Sequence, residues 1–158
     1  MTAPPDPAVT PVVVFATGNE SRGDDGLAPA LARRAALDER AGLTLVLDYQ
    51  LQVEHALELR GRRLALFIDA GKDTPAPFEL RRASPSPRFL HTTHALAPEA
   101  VLETAQRLGI ALPDAWVLCV RGEQFELGEG LSARALRHLD AAETALHALL
   151  AQHDAVPD

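Results

Sequence analysis

Short apolar runs alternate with amphipathic segments along this chain, and this alternation restricts the fold more than any other feature of the sequence. The predicted strands are residues 12–16, 43–48, 64–69 and 115–120, and the first and third are too apolar to face water on either side. The predicted helices are residues 27–40, residues 53–60, and two more that begin at Pro98 and Ser132. Strands and helices that alternate in this way are typical of an α/β fold built on parallel strands.

Residues 78–82 differ from the core strands because apolar and charged side chains alternate there, which predicts an edge strand that can run antiparallel to its neighbour. The last helix is expected to turn five residues inward: Leu136, Leu139, Ala142, Leu146 and Leu150. The predicted fold is therefore a three-layer α/β arrangement. It has a five-stranded, mostly parallel but mixed sheet with helices on both faces.

A single domain accounts for all 158 residues, since a chain of this length buries about two-thirds of its unfolded surface without disulfides or structural metals. Residues 1–11 hold four prolines and no base, and we predict a flexible leader there. The α/β domain is expected to span residues 12–151, followed by a polar tail at 152–158. No internal repeat is visible.

Charge and cysteine content exclude several classes of protein. The chain has 22 acidic and 15 basic side chains and a net charge of −7, and its arginines form no stripe, so neither a nucleic acid nor a membrane is expected as a partner. The longest apolar runs are strand-sized, which predicts a soluble protein. With Cys119 as the single cysteine, neither an internal disulfide nor a thiolate zinc site can form, and a reducing cytoplasm is the expected location.

Acidic side chains and histidines collect where the predicted strands end. Asp25 follows the first strand, Asp69 ends the third, and His94 precedes the helix that begins at Pro98. Because the carboxyl ends of parallel strands share one edge of a sheet, we expect Asp25, Asp69 and His94 to meet in one crevice. Weaker candidates for a role in the same site are Asp48, His91 and Glu123.

Other interpretations of these residues are either purely structural or require motifs that the sequence does not complete. Asp24 is interpreted as a helix cap, because a cap needs only one carboxylate oxygen. The glycines near it lack the Lys-Ser/Thr of a phosphate loop, and Ser21 lacks the preceding glycine of a serine-hydrolase elbow. Cys119 lies in a predicted buried strand, where thiols are usually inert. The remaining histidines are interpreted as helix-surface or tail residues: His55, His138, His147 and His153.

What remains is an oxygen-rich site with one or two imidazoles, suited to a divalent metal such as nickel, zinc, cobalt, iron or manganese. Three protein ligands leave open coordination positions. Such a site either holds a catalytic water or receives a metal that arrives attached to another molecule.

Several segments of the sequence resemble the hydrogenase maturation endopeptidases, which remove the C-terminal extension of the large subunit of NiFe hydrogenases after nickel insertion. The resemblance rests on Gly18-Asn19 with Gly23-Asp24-Asp25-Gly26 downstream, on Ile68-Asp69-Ala70, on His94, and on residues 118–123 with 128–132. It runs in order from residue 12 to residue 150. Ala28 departs from the pattern, where the family often has a second glycine. Residues 48–55 and 91–96 look most like the branch that serves cytoplasmic NAD(P)-linked hydrogenases.

The resemblance implies that Asp25, Asp69 and His94 contact the nickel of the substrate, so that the protein needs no tightly bound cofactor of its own. It implies an aspartyl-type or metal-assisted peptide hydrolase whose partner is the hydrogenase large-subunit precursor. Two alternatives use the same residues. One is a self-sufficient metallohydrolase with its own divalent metal, and the other is a nickel-dependent maturation chaperone that hydrolyses nothing.

Overall fold

A computed structural model describes residues 9–89 and 96–154 of the chain. Within them, five strands form one sheet: β1 (Val12–Thr17), β2 (Leu43–Asp48), β3 (Leu64–Gly71), β4 (Phe78–Arg82) and β5 (Asp114–Arg121). The α-helices of this part of the chain are α1 (Leu27–Arg34), α2 (Pro98–Arg107) and α3 (Ala133–Asp154). A 3-10 helix, Val53–Leu59, lies between β2 and β3, where the sequence predicts a short helix.

The strands lie in the order β2-β1-β3-β5-β4. All neighbouring pairs are parallel except β4 and β5, which are antiparallel. This arrangement confirms the predicted mixed sheet and its antiparallel edge strand. From β1 the chain goes outward to β2 and then returns past β1 to β3, so the strand order reverses beside β1. In open α/β sheets, ligands bind in the crevice at the carboxyl ends of the strands that flank such a reversal.

Apolar side chains fill both faces of the sheet. On one face, Val14 and Leu66 pack with α1 and α3 in one core cluster. On the other face, Phe15 and Phe67 stack with ring centroids 4.9 Å apart and pack with α2 and the 3-10 helix. Because consecutive strand residues point to opposite faces, a fully buried strand such as β1 supplies both cores. The two clusters confirm the predicted three-layer arrangement.

The predicted helix at residues 27–40 is wrong in its second half. The α-helix ends at Arg34, and Ala36 takes a left-handed conformation with φ 51°. Leu37 lies ten residues after Leu27, so in a continued α-helix it would point roughly 80° away from the buried face. The break at Ala36 lets Leu37 reach the core, where it is fully buried.

The last helix buries four of the five residues predicted to face inward. Leu136 is the exception, because 48% of its surface is exposed. The inward position one turn before Leu139 belongs instead to Ala135, which is fully buried. The helix continues through Asp154, into the predicted tail. Among the described helices, none is both long enough and apolar enough to cross a membrane.

Candidate active site

The loop after β1 fixes the position of Asp25. The backbone N–H of Asn19 donates a hydrogen bond to Asp25 Oδ2 at 2.8 Å, and the N–H of Gly18 donates to the carbonyl of Asp48 at 3.1 Å. A Cβ atom at position 18 would lie 1.9 Å from the backbone oxygen of Asp25. Only glycine allows this close approach. The Gly18-Asn19 pair therefore holds a half-buried carboxylate at the carboxyl end of the sheet.

Asp69 reaches the same edge of the sheet from β3. Its Oδ1 accepts a hydrogen bond from the N–H of Ala70 at 2.8 Å. Asp69 keeps an exposed surface, but the protein atoms packed around its carboxylate reduce its hydration, which raises the pKa of Asp69 to about 6, and the negative charge of Asp25 acts in the same direction. The Ala70 hydrogen bond opposes this rise only in part. The pKa of Asp69 therefore lies closer to neutral pH than that of an ordinary aspartate.

One cavity of about 470 Å³ contains both carboxylates, and we call it the acid-pair cavity. Its walls come from the ends of β1 and β3, the loop after β2 and the entry to α2; the residues used below are Thr17, Asp25, Tyr49, Asp69, Leu96 and Pro98. Thr17 Oγ1 donates a 3.4 Å hydrogen bond to the carbonyl of Ile68 and so joins the ends of β1 and β3 beneath the acids. The predicted meeting of Asp25 and Asp69 is thus observed at the strand reversal.

Neither carboxylate in the acid-pair cavity is saturated with hydrogen bonds. In the part of the chain that the structure describes, Asp25 Oδ1 and Asp69 Oδ2 have no hydrogen-bond partner. Two neighbouring carboxylates with free oxygens repel each other and attract a hard or borderline cation. Within residues 9–89 and 96–154, no three His, Cys, Asp or Glu side chains lie close enough together to hold a metal ion.

Asp24 faces away from this cavity and is fully buried. It accepts four hydrogen bonds, from the N–H groups of Glu123, Gln124 and Ser132 and from the Ser132 hydroxyl, at distances of 2.7 to 2.9 Å. Burial alone would raise the pKa of Asp24, but these four donors lower it below its ordinary value. The prediction that Asp24 caps the helix it precedes is wrong, since its carboxylate instead fixes the loop between β5 and α3.

Asp48, a weaker candidate for the site, forms its contacts within the loop that follows β2. Its Oδ1 accepts the N–H of Tyr49 at 2.7 Å, and its Oδ2 lies 3.3 Å from His55 Nε2. His55 Nδ1 accepts the N–H of Gln52, so the proton of a neutral ring lies on Nε2 and faces Asp48. The expectation that His55 lies on a helix surface is wrong, because it is 7% exposed and packs against the ring of Phe15.

Two further candidates, Glu123 and Cys119, do not line the acid-pair cavity, although Cys119 is paired with Asp69 across β3 and β5. The carboxylate of Glu123 is 3.4 Å from Arg121 Nε and lines a separate cavity with Gln124 and Ser132. Cys119 is half-buried, and its sulfur is hydrogen-bonded with Thr74 Oγ1 at 3.0 Å. Burial raises the pKa of the Cys119 thiol, and the charge of Asp69 adds to this effect. A protonated thiol is a weak nucleophile, which agrees with the inert role predicted for Cys119.

His91 and His94 lie outside the described residues, so the third member of the predicted trio stays a prediction. The described chain resumes at Leu96, and Leu96 and Pro98 both line the acid-pair cavity. Sequence reasoning missed the contributions of Thr17 and Tyr49 to this cavity. Their positions at the ends of the first and second strands were the signal that could have identified them.

Comparison with known proteins finds neither a matching family model nor a matching curated protein. Solved structures do match. The hydrogenase maturating endopeptidase HybD from E. coli superposes with a TM-score of 0.70 at 17% identity, over 90% of this chain and 93% of that one. The NiFe hydrogenase maturation protease HycI from Thermococcus kodakarensis KOD1 gives 0.62 at 20% identity, over 87% and 90%. An uncharacterized protein from Wolinella succinogenes gives 0.62 at 23% identity, over 90% and 98%.

Proposed function

This chain has the α/β fold of the hydrogenase maturation endopeptidases, and we propose that it shares their activity. In this proposal it removes the C-terminal extension of a NiFe hydrogenase large-subunit precursor after nickel has been inserted. The observation that carries the proposal is the acid-pair cavity. It places Asp25 and Asp69, which are 44 positions apart in the sequence, together at the strand reversal where this fold class binds ligands.

We infer that the nickel ion of the precursor, which is part of the substrate, binds between Asp25 and Asp69, with His94 as a third ligand. Free carboxylate oxygens on two elements, together with an imidazole, are donors that a borderline divalent ion accepts. An incomplete ligand set suits a metal that brings most of its ligands with it. The protein then needs no tightly bound cofactor of its own.

The electrostatics of the acid pair account for a checkpoint on nickel insertion. Burial raises the pKa of Asp69, and the charge of Asp25 adds to this rise, so an occupant of the cavity that brings no cation leaves the acid pair costly to keep fully ionised. A divalent cation between them removes this repulsion and favours the charged form of both. The nickel-loaded precursor is therefore expected to bind more tightly than the empty one, which gives selectivity by differential affinity.

The proposal is tested by incubating the full-length protein with nickel-loaded and nickel-free precursor, followed by mass spectrometry of the large subunit. We expect a shortened large subunit only in the nickel-loaded sample. If both precursors stay uncut while the loaded one binds, the protein is a chaperone. If both are cut and elemental analysis finds one zinc per chain, it is a metallohydrolase with its own metal. Mass spectrometry of the released fragment identifies the bond that is cut.

We place this activity in the cytoplasm, since a chain with a single cysteine forms no internal disulfide and needs no oxidising compartment. The assignment to the branch that serves NAD(P)-linked hydrogenases rests on residues 48–55 and 91–96. Part of the second segment lies outside the described residues. Precursors of an NAD(P)-linked and of a membrane-bound hydrogenase, offered side by side, distinguish the branches by which one is shortened.

A further inference from the structure

A groove runs along the outer side of the sheet between β2 and α1 and leads to the acid-pair cavity. It consists of two adjoining cavities, of about 190 and 400 Å³, which share Glu20, Pro29 and Leu47 as wall residues. The larger one also shares Tyr49 with the acid-pair cavity. We call these two adjoining cavities the edge groove. A chain lying in the edge groove would pass over Tyr49 directly to Asp25 and Asp69.

The backbone of β2 offers free hydrogen-bonding groups along this groove. Among the described strands, β2 pairs only with β1. The carbonyls of Gly42 and Asp48 accept the N–H groups of Val12 and Gly18, so the even-numbered residues of β2 face β1. Leu45 and Leu47 therefore turn their N–H and C=O groups outward. Such an open edge is a template for an additional strand from another chain.

The side chains of the groove favour an apolar occupant. Leu47 is 59% exposed and Tyr49 is 74% exposed, which are large values for side chains of this type. At the rim, Glu20 forms a two-pronged ion pair with Arg33 at 3.0 and 3.1 Å, so these two charges largely neutralise each other. The floor of the groove is apolar between Pro29 and Leu47, and Asp38 adds a carboxylate to the wall of the smaller cavity.

We propose that the edge groove binds the precursor polypeptide beside the bond to be cut. The segment lies as an extended strand on the outer edge of β2, with an apolar side chain against Leu47 and Pro29. A segment of about five residues matches the stretch from Leu45 to Tyr49 residue for residue. This inference rests on the proposed function. It adds a substrate-binding surface remote from the nickel, which positions the chain so that the bond to be cut reaches the acid-pair cavity.

Amide hydrogen exchange tests the groove without requiring cleavage. The probe is a synthetic peptide of about 15 residues that ends before the nickel-binding part of the precursor, so that its binding does not depend on the metal. When the peptide is bound, the amides of Leu45 and Leu47 should exchange at least about tenfold more slowly, whereas those of Thr44 and Val46, already paired with β1, should not change. Unchanged exchange at Leu45 and Leu47 in the presence of excess peptide overturns the proposal. Protection that appears without peptide and grows with protein concentration also overturns it, because the occupant is then a second copy of this chain.

A matched pair of variants tests the groove in the full reaction. Leu47→Asp places a charge on the groove floor, whereas Leu57→Asp changes a leucine of nearly equal exposure, 57%, on the 3-10 helix outside the groove. With nickel-loaded precursor, Leu47→Asp should raise KM about tenfold or more while kcat stays within about twofold, and Leu57→Asp should behave as wild type. Thermal unfolding of both variants checks that they fold.

The outcomes separate the two proposals. If the wild-type protein cuts the precursor and Leu47→Asp keeps the wild-type KM, the groove is not used and the proposed function stands. If the wild-type protein cuts neither precursor, the proposed function fails, and the exchange experiment still decides whether the edge of β2 binds the peptide.

Discussion

Asp24 and Asp25 are neighbours in the chain, yet they belong to two regions with opposite physical character. Asp24 is fully buried and accepts four hydrogen bonds from the loop between β5 and α3. Asp25 opens into the acid-pair cavity, where it shares space with Asp69 and accepts one described hydrogen bond, from Asn19. The carboxylate in the first region has its pKa lowered, whereas in the second region the pKa of Asp69 is raised to about 6.

The difference shows how a structural acid is distinguished from a reactive one. A carboxylate whose oxygens all accept hydrogen bonds from the protein stabilises the fold and has no oxygen available to bind a ligand. A carboxylate with a free oxygen, a like-charged neighbour and restricted hydration is costly to keep ionised, and a cation removes that cost. The four donors around Asp24 stabilise the loops, while in the acid-pair cavity Asp25 Oδ1 and Asp69 Oδ2 have no hydrogen-bond partner among the described residues.

The largest expected effect is on activity, from Asp25→Asn. The amide keeps the volume of the side chain but loses the charge that binds the cation, so cleavage of nickel-loaded precursor should fall by at least about 100-fold. Asp24→Asn should be milder, since Asp24 has no access to the acid-pair cavity. The measurement is kcat/KM with loaded precursor, and unfolding curves serve as the control for folding. Equal activity of Asp25→Asn and wild type would refute the assignment of this region.

The next effect is on stability, from Asp24→Ala compared with Asp25→Ala. Removing Asp24 leaves three buried N–H groups and the Ser132 hydroxyl without their acceptor, which should cost about 4 kcal/mol of unfolding free energy. Asp25→Ala removes the acceptor of one N–H group and should cost at most about 1 kcal/mol. Chemical denaturation of both variants gives the two values. A reversed order would mean that the two regions have been assigned the wrong way round.

A smaller effect is expected from Gly18→Ala, which tests how the acid pair is held. The added Cβ would meet the backbone oxygen of Asp25 at 1.9 Å, so the loop must move and carry Asp25 with it. We expect a loss of about 1–3 kcal/mol in stability and a larger proportional loss of cleavage. Gly109→Ala is the matched control, because a Cβ there meets no atom within 4 Å, although its positive φ of 78° carries its own strain. A variant at position 18 that is less stable but fully active would show that the position of Asp25 is not critical.

The smallest expected effect is a change with pH in the melting temperature of the metal-free protein. The pKa of Asp69 is raised from 3.8 to about 6 on folding, so the folded state holds the proton more tightly than the unfolded state. Stability that Asp69 contributes at low pH is therefore lost as pH rises through about 6. Asp24, with a lowered pKa, acts in the opposite sense and loses its contribution only in strong acid. The melting temperature of wild type relative to Asp69→Asn should fall between about pH 4 and pH 6 and level off above.

The sequence predicted most of the fold because strand and helix patterns are local. All five strands were placed, including the antiparallel edge strand at Phe78–Arg82. The sequence pattern does not predict the end of α1. The helix stops at Arg34 so that Leu37 can be buried in the core, and only the packed structure shows that this burial is more favourable than continuing the helix. Leu136 was placed inward because leucine and alanine both fit a helical period, and the contacts of α3 select Ala135 instead.

The candidate site was partly accessible to sequence reasoning for the same physical reason. Acids that follow parallel strands must meet at one edge, and that rule brought Asp25 and Asp69 together correctly. The partners of Asp24 lie about 100 residues away, in the loop before α3, and no pattern in the nearby sequence predicts them. The burial of His55 under the Asp48 loop was missed because a single polar residue in a short helix gives no periodic signal.

The most direct test of the account is the position of nickel itself, by anomalous scattering at the nickel edge from crystals of this protein soaked in nickel chloride. We expect one strong peak between the carboxylates of Asp25 and Asp69, with the imidazole of His94 as a third ligand. A peak bound elsewhere, or a His94 ring on the opposite side of the sheet from the two acids, would contradict it.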